Sequence, residues 1–188
     1  AAGRYADEAK AGWWDKFIGD GKAIDTTKYF VICSNNLGSS YGSTNPMSID
    51  PSTKKEYRLK FPVLTISDIV KAQMKLYKKL GITNALAVIG GSMGGMQALC
   101  YAIEQPTFAK NVIALATTAY TRPWAIAFNK IGIEAIRHDP VFKNGNYKKD
   151  DLKALGLPGL AIGRMAGLIC YLSPALFNSK FGRDYSST

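Results

Sequence analysis

Histidine and cysteine, which often act as catalytic groups or metal ligands, are scarce in this sequence. Its 188 residues include one histidine and three cysteines, and Cys33, Cys100 and Cys170 lie far apart. No C-x-x-C pair occurs, so the sequence predicts neither a disulfide framework nor a thiolate zinc site, and we expect no metal. Unpaired cysteines are typical of a reducing compartment, and we therefore expect a cytoplasmic location.

Phosphate-binding glycine motifs and uninterrupted apolar segments are also missing. Neither G-x-G-x-x-G nor G-x-x-x-x-G-K-[ST] is present, which argues against the common dinucleotide and phosphate loops. The most apolar stretch, residues 157–177, contains Arg164, two prolines and three glycines. We expect a buried or lid helix there and not a membrane span.

Acidic residues are outnumbered by basic ones, 14 to 24, which gives a formal net charge of +10. Such a charge is compatible with nucleic acid, a membrane surface or a phosphorylated cofactor as partner. The lysines are spread along the chain, however, and their tightest groups lack the interleaved aromatic residues of a base-stacking platform. We interpret them as solvated surface residues and expect no nucleic-acid or membrane partner.

Short apolar segments alternate with amphipathic ones, a pattern typical of α/β architecture. Buried strands are predicted at residues 29–33, 85–89 and 111–116, each a short apolar run. Right-handed crossovers would make these strands parallel. Residues 35–62, rich in Gly, Ser, Asn and Pro, are predicted to form a long loop.

The amphipathic segments predict helices with recognisable ends. Thr65 and Asp68 have the spacing of a capping box at the start of one helix, and Gly81 suits its C-terminal end. A second helix follows the glycines at residues 90–95 and stops at Pro106. Two further helices are predicted at residues 124–137 and 160–171, on either side of a polar stretch at 139–153.

One motif indicates a catalytic residue. Gly90-Gly91-Ser92-Met93-Gly94 matches G-x-S-x-G between a predicted strand and a predicted helix. In that context the serine occupies a strained turn that lifts its hydroxyl clear of the sheet, and small neighbours permit the turn. The helix N-terminus favours negative charge, and the Met93 N–H can donate to a developing oxyanion. We predict Ser92 as a nucleophile, with a purely structural glycine turn as the alternative.

A serine nucleophile needs a general base and an orienting acid. The single histidine, His138, is followed directly by Asp139, and this adjacency does not by itself give an orienting geometry. In α/β-hydrolases the acid and then the histidine follow the serine, on loops after later strands. We interpret His138 as a polar residue near a helix end, so the sequence predicts a nucleophile without a base.

Matches to a known family run along nearly the whole chain. They include G-W-W-D at residues 12–15, Y-F-V-I-C-S-N at 29–35, Y-G-S-T at 41–44, G-G-S-M-G-G-M at 90–96 and Y-L-S at 171–173. Together these segments resemble the homoserine O-acetyltransferases, an α/β-hydrolase-fold family of methionine biosynthesis. The resemblance implies an α/β-hydrolase fold with a partial parallel sheet and an inserted helical lid.

The resemblance also implies a reaction and its site. Ser92 would take an acetyl group from acetyl-CoA, and the hydroxyl of L-homoserine would then attack the acyl-enzyme. Met93 would supply an oxyanion-hole N–H, while Arg164 and Tyr171 match family positions that face the acceptor amino acid. Acetyl-CoA would be a co-substrate, with no permanently bound cofactor, and the family tends to form homodimers.

Family chains are considerably longer than this one. We expect residues 1–118 to form the central part of the hydrolase core with the nucleophile, and residues 119–188 to form a helical lid region. The N-terminal strands, and the C-terminal strands that carry the catalytic aspartate and histidine, would be absent. We accordingly expect residues 1–188 alone to be inactive.

Other functions stay open at this point. The acyl donor could be succinyl-CoA or the acceptor serine, and water in place of the acceptor would make the protein an esterase or hydrolase. A truncated, non-catalytic domain that binds partners or dimerises is the alternative from another class. The positive charge alone does not support nucleic-acid binding, because no base-reading motif accompanies it.

Overall fold

The computed structural model describes residues 9–182, apart from the side chains of Lys149 and Lys153. The chain divides after Ser43 into two compact units. The first contains two short parallel strands, β1 (Ile18–Gly19) and β2 (Ile24–Asp25).

The strand predicted at residues 29–33 is a wrong prediction. No strand pairs with this segment in the described part of the chain, and its side chains are exposed, Phe30 to 86%. A strand is stabilised by backbone hydrogen bonds to a neighbour. A short apolar segment favours an extended conformation, but it does not by itself provide a neighbouring strand for those hydrogen bonds.

The second unit alternates helices and strands and then continues with helices alone. Two short 3₁₀ turns, Arg58–Lys60 and Lys143–Gly145, lie in its connections. Its elements are α1 (Ile66–Lys79), β3 (Ala85–Gly91), α2 (Met93–Glu104), β4 (Ala109–Leu115), α3 (Pro123–Arg137), α4 (Lys149–Leu155), α5 (Pro158–Tyr171) and α6 (Pro174–Lys180).

The β3–β4 pair is the frame of the second unit. The two strands are parallel, with Ala85 opposite Ala109 and Gly91 opposite Leu115. Helix α2 connects them and packs against both. The predictions of strands near 85–89 and 111–116 and of a helix between them are therefore confirmed.

Helix α1 has the predicted ends. The Thr65 hydroxyl accepts a hydrogen bond from the Asp68 N–H at 3.1 Å, and the Asp68 carboxylate accepts one from the Thr65 N–H at 2.9 Å. These two bonds satisfy donors that a helix N-terminus leaves unpaired. Gly81, at φ +74°, follows the helix in the left-handed conformation that glycine adopts without strain.

A small aromatic core joins α1 to α2. Val70, Tyr77, Tyr101 and Phe108 are buried together, and the Phe108 ring lies 5.9 Å from that of Tyr77 and 5.6 Å from that of Tyr101. Burial raises the pKa of the Tyr101 hydroxyl. This core lies under α2 and supports the helix that begins at the G-x-S-x-G motif.

The helical region after β4 is built on a close contact between α3 and α5. A Cβ on Gly163 would lie only 3.1 Å from the Cα of Gly132, so the two backbones nearly touch at this crossing. The predicted helices at 124–137 and 160–171 are confirmed, whereas α4 lies in the stretch predicted only as polar. The predicted domain boundary at residue 118 stays a prediction.

Within residues 9–182, no single helix is both long enough and apolar enough to cross a membrane. Only α5 and α6 taken together meet these criteria, and the pair is bent by 112° at its junction.

Candidate active site

Ser92 lies alone between the end of β3 and the start of α2, in a strained backbone conformation. Its φ of 54° and ψ of −120° fall in a region that L-residues rarely adopt. Such a conformation costs about 1–3 kcal/mol and persists only where the surrounding structure enforces it. The G-x-S-x-G motif has thus folded into the sharp strand-to-helix turn that the sequence predicts.

Hydrogen bonds from two sides hold the Ser92 backbone. Its N–H donates to the Leu115 carbonyl at the end of β4, at 3.0 Å. Its carbonyl accepts from the N–H groups of Gly95 and Met96 in α2, at 2.9 and 3.1 Å, and from the Thr117 hydroxyl at 2.7 Å. The strained turn is therefore tied both to the neighbouring strand and to the helix that follows it.

Two of the surrounding glycines are required by space. A Cβ on Gly90 would overlap the carbonyl oxygen of Gly94, and a Cβ on Gly95 would lie 2.6 Å from the Thr117 Cγ2 atom. A Cβ on Gly94, by contrast, would meet nothing within 4 Å. Close packing at the turn therefore requires Gly90 of the motif and Gly95 after it, but it does not require Gly94.

The Ser92 side chain is available for chemistry. The residue is exposed, and its hydroxyl does not cap α2. It lies at the N-terminus of a 12-residue helix, where the first N–H groups have no intrahelical partner and the helix dipole favours negative charge. Met93, the first residue of α2, presents such an N–H beside Ser92. The arrangement can stabilise an oxyanion that forms next to the hydroxyl.

The side chains of His138 and Asp139 contact different partners. His138 ends α3 with an exposed side chain, and its Nδ1 lies 2.9 Å from the Glu134 carbonyl oxygen and 3.7 Å from the Glu134 carboxylate. The Asp139 carboxylate is buried and accepts hydrogen bonds from backbone N–H groups of Val141 and Gly159. This geometry agrees with the interpretation of His138 as a polar residue at a helix end.

Arg164 and Tyr171 both lie on α5, about two turns apart. Both side chains are exposed, Tyr171 to 83%. In the described part of the chain neither forms a hydrogen bond or ion pair, and no hydrogen bond joins either of them to Ser92. The structure thus brings Ser92 and Met93 together, while the roles of Arg164 and Tyr171 stay predictions.

Sequence reasoning missed a buried polar network between α1 and α2 and the contact from Thr117 to Ser92. Gln73 of α1 donates to Gln97 of α2 at 2.9 Å and accepts from the Tyr101 hydroxyl, also at 2.9 Å. All three side chains are buried, where unpaired polar groups would be costly. Gln97 was a usable signal, because it is a polar residue among the mostly apolar residues of α2.

The strand–serine–helix geometry has a match among known proteins. A family model described as "alpha/beta hydrolase fold" matches residues 9–157. The chain belongs to the α/β-hydrolase fold family. In this fold the catalytic nucleophile is presented from a G-x-S-x-G turn between a strand and a helix, which makes the turn at Ser92 a candidate nucleophile elbow.

Several proteins similar to this chain are named homoserine O-acetyltransferase. A homoserine O-acetyltransferase from Sulfurimonas autotrophica is 60% identical over 188 residues, all of this chain and 51% of the relative. A crystal structure of homoserine O-acetyltransferase from Bacillus anthracis is 33% identical, with a TM-score of 0.87 over 97% of this chain and 50% of that one. The resemblance to this enzyme group is therefore confirmed along the whole chain.

An esterase is structurally similar as well. The crystal structure of esterase E22 is 37% identical, with a TM-score of 0.86 over 96% of this chain and 50% of that one. The chain spans about half the length of the curated relatives it matches.

Proposed function

We propose that the protein containing this chain is an acyltransferase that moves an acetyl group from acetyl-CoA to the hydroxyl of L-homoserine, a step of methionine biosynthesis. The observation that carries the proposal is the nucleophile elbow, with its strained backbone and exposed Ser92 hydroxyl at the N-terminus of α2. The identity to homoserine O-acetyltransferases along the whole chain supports this choice of reaction.

The reaction would proceed by double displacement. The Ser92 Oγ attacks the thioester carbonyl while a general base takes its proton, and the Met93 N–H donates to the oxyanion that forms. The carbon–sulfur bond then breaks, and coenzyme A leaves as its thiol after taking up that proton. In the second half, the homoserine hydroxyl loses its proton to the base and attacks the acyl-serine. The Ser92 Oγ leaves, is reprotonated, and is free again.

The general base and its orienting acid would be a histidine and an aspartate from outside these 188 residues. His138 is directed to Glu134, and Asp139 to backbone N–H groups, so this pair is committed to other contacts. A segment that holds the nucleophile but not the base would be inactive alone. Activity is therefore measured on the protein expressed from the complete reading frame.

Arg164 and Tyr171 would contact the acceptor. A guanidinium can bind an α-carboxylate through two parallel hydrogen bonds, and Arg164 is exposed without an ion-pair partner in residues 9–182. Tyr171 lies on the same helix with a hydroxyl that can donate or accept. These two side chains would select an amino acid as the molecule that receives the acetyl group.

The similarity to esterase E22 favours hydrolysis as the second candidate function. The same acyl-serine would form, and water would take the place of the homoserine hydroxyl in the second half. Exclusion of water from the closed site is what separates transfer from hydrolysis in chemistry of this kind.

The remaining proposals concern the co-substrate, the oligomeric state and the location of the enzyme. Acetyl-CoA would bind as a co-substrate and not as a resident cofactor. A homodimer would cover apolar side chains that α3 and α5 leave exposed, among them Trp124 at 74% and Ile169 at 59%. Three free cysteines suit a cytoplasmic enzyme.

Mass spectrometry tests the reaction. The complete protein is incubated with acetyl-CoA, and the peptide that contains Ser92 is expected to gain the mass of one acetyl group. Release of the label is then compared with L-homoserine, L-serine and water alone, and homoserine is expected to be fastest. Ser92→Ala should abolish labelling, whereas Gly94→Ala, at an unobstructed position of the elbow, should retain it.

Each outcome separates the candidates. Absence of labelling would refute the acyl-serine mechanism. Labelling followed by release at the same rate with and without homoserine would identify an esterase.

A further inference from the structure

Asp139 is a buried carboxylate whose two oxygens both bind backbone. It is only 6% exposed, and its Oδ1 accepts from the Val141 N–H at 2.8 Å and its Oδ2 from the Gly159 N–H at 2.6 Å. A carboxylate is costly to bury unless it is well hydrogen bonded. Here the two backbone donors, and not a cation, satisfy it in the described part of the chain.

The Gly159 bond caps a helix from a distant position. Gly159 is the second residue of α5, and its N–H is one of the donors that a helix leaves unpaired at its start. The N-cap of α5, Leu157, has no polar side chain, and Pro158 has no N–H. Asp139, 20 residues earlier and directly after the end of α3, supplies the missing acceptor and a negative charge that suits the helix dipole.

Helices α3 and α5 approach most closely where glycines bring the two backbones together. Interlocking side chains normally set the register of two packed helices. At this crossing Gly132 faces Gly163 backbone to backbone, and a Cβ on Gly159 would overlap the Ala135 carbonyl oxygen. No side chain interlocks at these glycine positions. The bond between Asp139 and Gly159 adds a directional contact there, and it ties the first turn of α5 to the chain that follows α3.

We propose that Asp139 is a positioning residue for the acceptor amino acid. By holding the first turn of α5 against α3, it sets the position of Arg164, which lies about 7.5 Å further along the helix axis, and of Tyr171 beyond it. The inference rests on the proposed function, because it assigns Asp139 an effect on the residues that would bind homoserine and none on the nucleophile elbow.

The test separates the two half-reactions in the complete protein. Asp139→Asn keeps the size of the side chain, but its amide NH₂ would face one of the two backbone donors and its uncharged oxygen, a weaker acceptor, would face the other. We expect acetyl-CoA to label Ser92 at the wild-type rate, and the KM for L-homoserine to rise about tenfold, because small displacements of substrate-positioning groups carry penalties of this kind. His138→Gln, one residue away and exposed, is the matched control and should leave both values unchanged.

Rates are normalised to the fraction of Ser92 that acetyl-CoA labels, so that misfolded molecules do not contribute. If Asp139→Asn yields no folded protein, Asp139→Ser, which retains one oxygen acceptor, is measured in the same way.

An unchanged KM, or a loss of labelling in proportion to acceptor use, would show a purely structural role and overturn the inference while the proposed function stands. Failure of the wild-type protein to become labelled would overturn the proposed function and, with it, this inference.

Discussion

The strain at Ser92 can be measured, because glycine and alanine relieve it differently. At φ 54° and ψ −120°, alanine retains the Cβ that makes the conformation costly, whereas glycine does not. We therefore expect Ser92→Gly to be more stable than Ser92→Ala, and both variants to be inactive for want of a hydroxyl. The comparison is clean because the Ser92 side chain does not cap α2, so neither variant loses a capping bond.

The size of the difference follows from two opposing contributions. Release of the strain should stabilise the glycine variant by about 1–3 kcal/mol. The greater freedom of glycine in the unfolded chain offsets about 0.5–1 kcal/mol of that gain. A net difference of about 1 kcal/mol, with glycine the more stable, is therefore expected from these two ranges.

Equilibrium urea unfolding of the two variants, followed by circular dichroism, provides the measurement. The midpoint should be higher for Ser92→Gly, with an unchanged dependence on urea concentration, since the surface exposed on unfolding is the same. A glycine variant that is less stable than the alanine variant by the full cost of its backbone freedom, about 0.5–1 kcal/mol, would show that the backbone at Ser92 is relaxed. That result would refute the view that neighbouring hydrogen bonds hold it in a costly conformation.

Three further predictions concern the helices that follow β4 and helix α1. Arg164→Ala should raise the KM for L-homoserine but leave Ser92 labelling by acetyl-CoA intact in steady-state and single-turnover assays; equal loss of both would contradict an acceptor role. The Cβ added by Gly159→Ala would overlap the Ala135 carbonyl oxygen, so this substitution should lower the free energy of unfolding by about 3 kcal/mol in denaturant unfolding. Gly163→Ala, whose Cβ would lie 3.1 Å from the Gly132 Cα, should lower it by about 1 kcal/mol or less. Hydrogen bonds from Thr65 hold the pKa of Asp68 below its ordinary value of 3.8. The stabilisation that these bonds provide is present above pH 3.8 and is lost as the pH falls through the lower pKa of the folded state. Asp68→Asn should therefore flatten this part of the plot of unfolding free energy against pH. An unchanged plot would contradict the capping role.

Features that depend on neighbours in sequence were predictable from the sequence. The capping box of Thr65 and Asp68 closes within one helical turn, and Gly81 ends the same helix by its own backbone preference. The strand-to-helix turn at Ser92 is also local, since the steric need for Gly90 arises from Gly94. In each case the residues that cause the structure lie within a few positions of the place where it forms.

Features that depend on distant partners were not predictable in this way. The apolar run at residues 29–33 has the composition of a strand, but composition does not provide the neighbouring strand that pairing requires. The bond from Asp139 to Gly159 spans 20 residues, and no periodicity in the sequence indicates it. The sequence therefore indicates Asp139 only as a candidate partner of the adjacent His138, although its carboxylate binds backbone further along the chain.

The two halves of the proposed reaction are held by separate parts of the structure. The elbow is fixed by contacts from β3, α2, the end of β4 and Thr117, all between residues 85 and 117. The helix that would bind the acceptor is fixed against α3 by Asp139 and by glycine contacts that involve none of those residues. Substitutions in one set should therefore change formation of the acyl-serine, and substitutions in the other should change its transfer. Each half-reaction has its own assay, so this separation distinguishes an acyltransferase with an acceptor site from an esterase on the same fold. In an esterase, substitutions along α5 would leave the release of the acyl group by water unaltered.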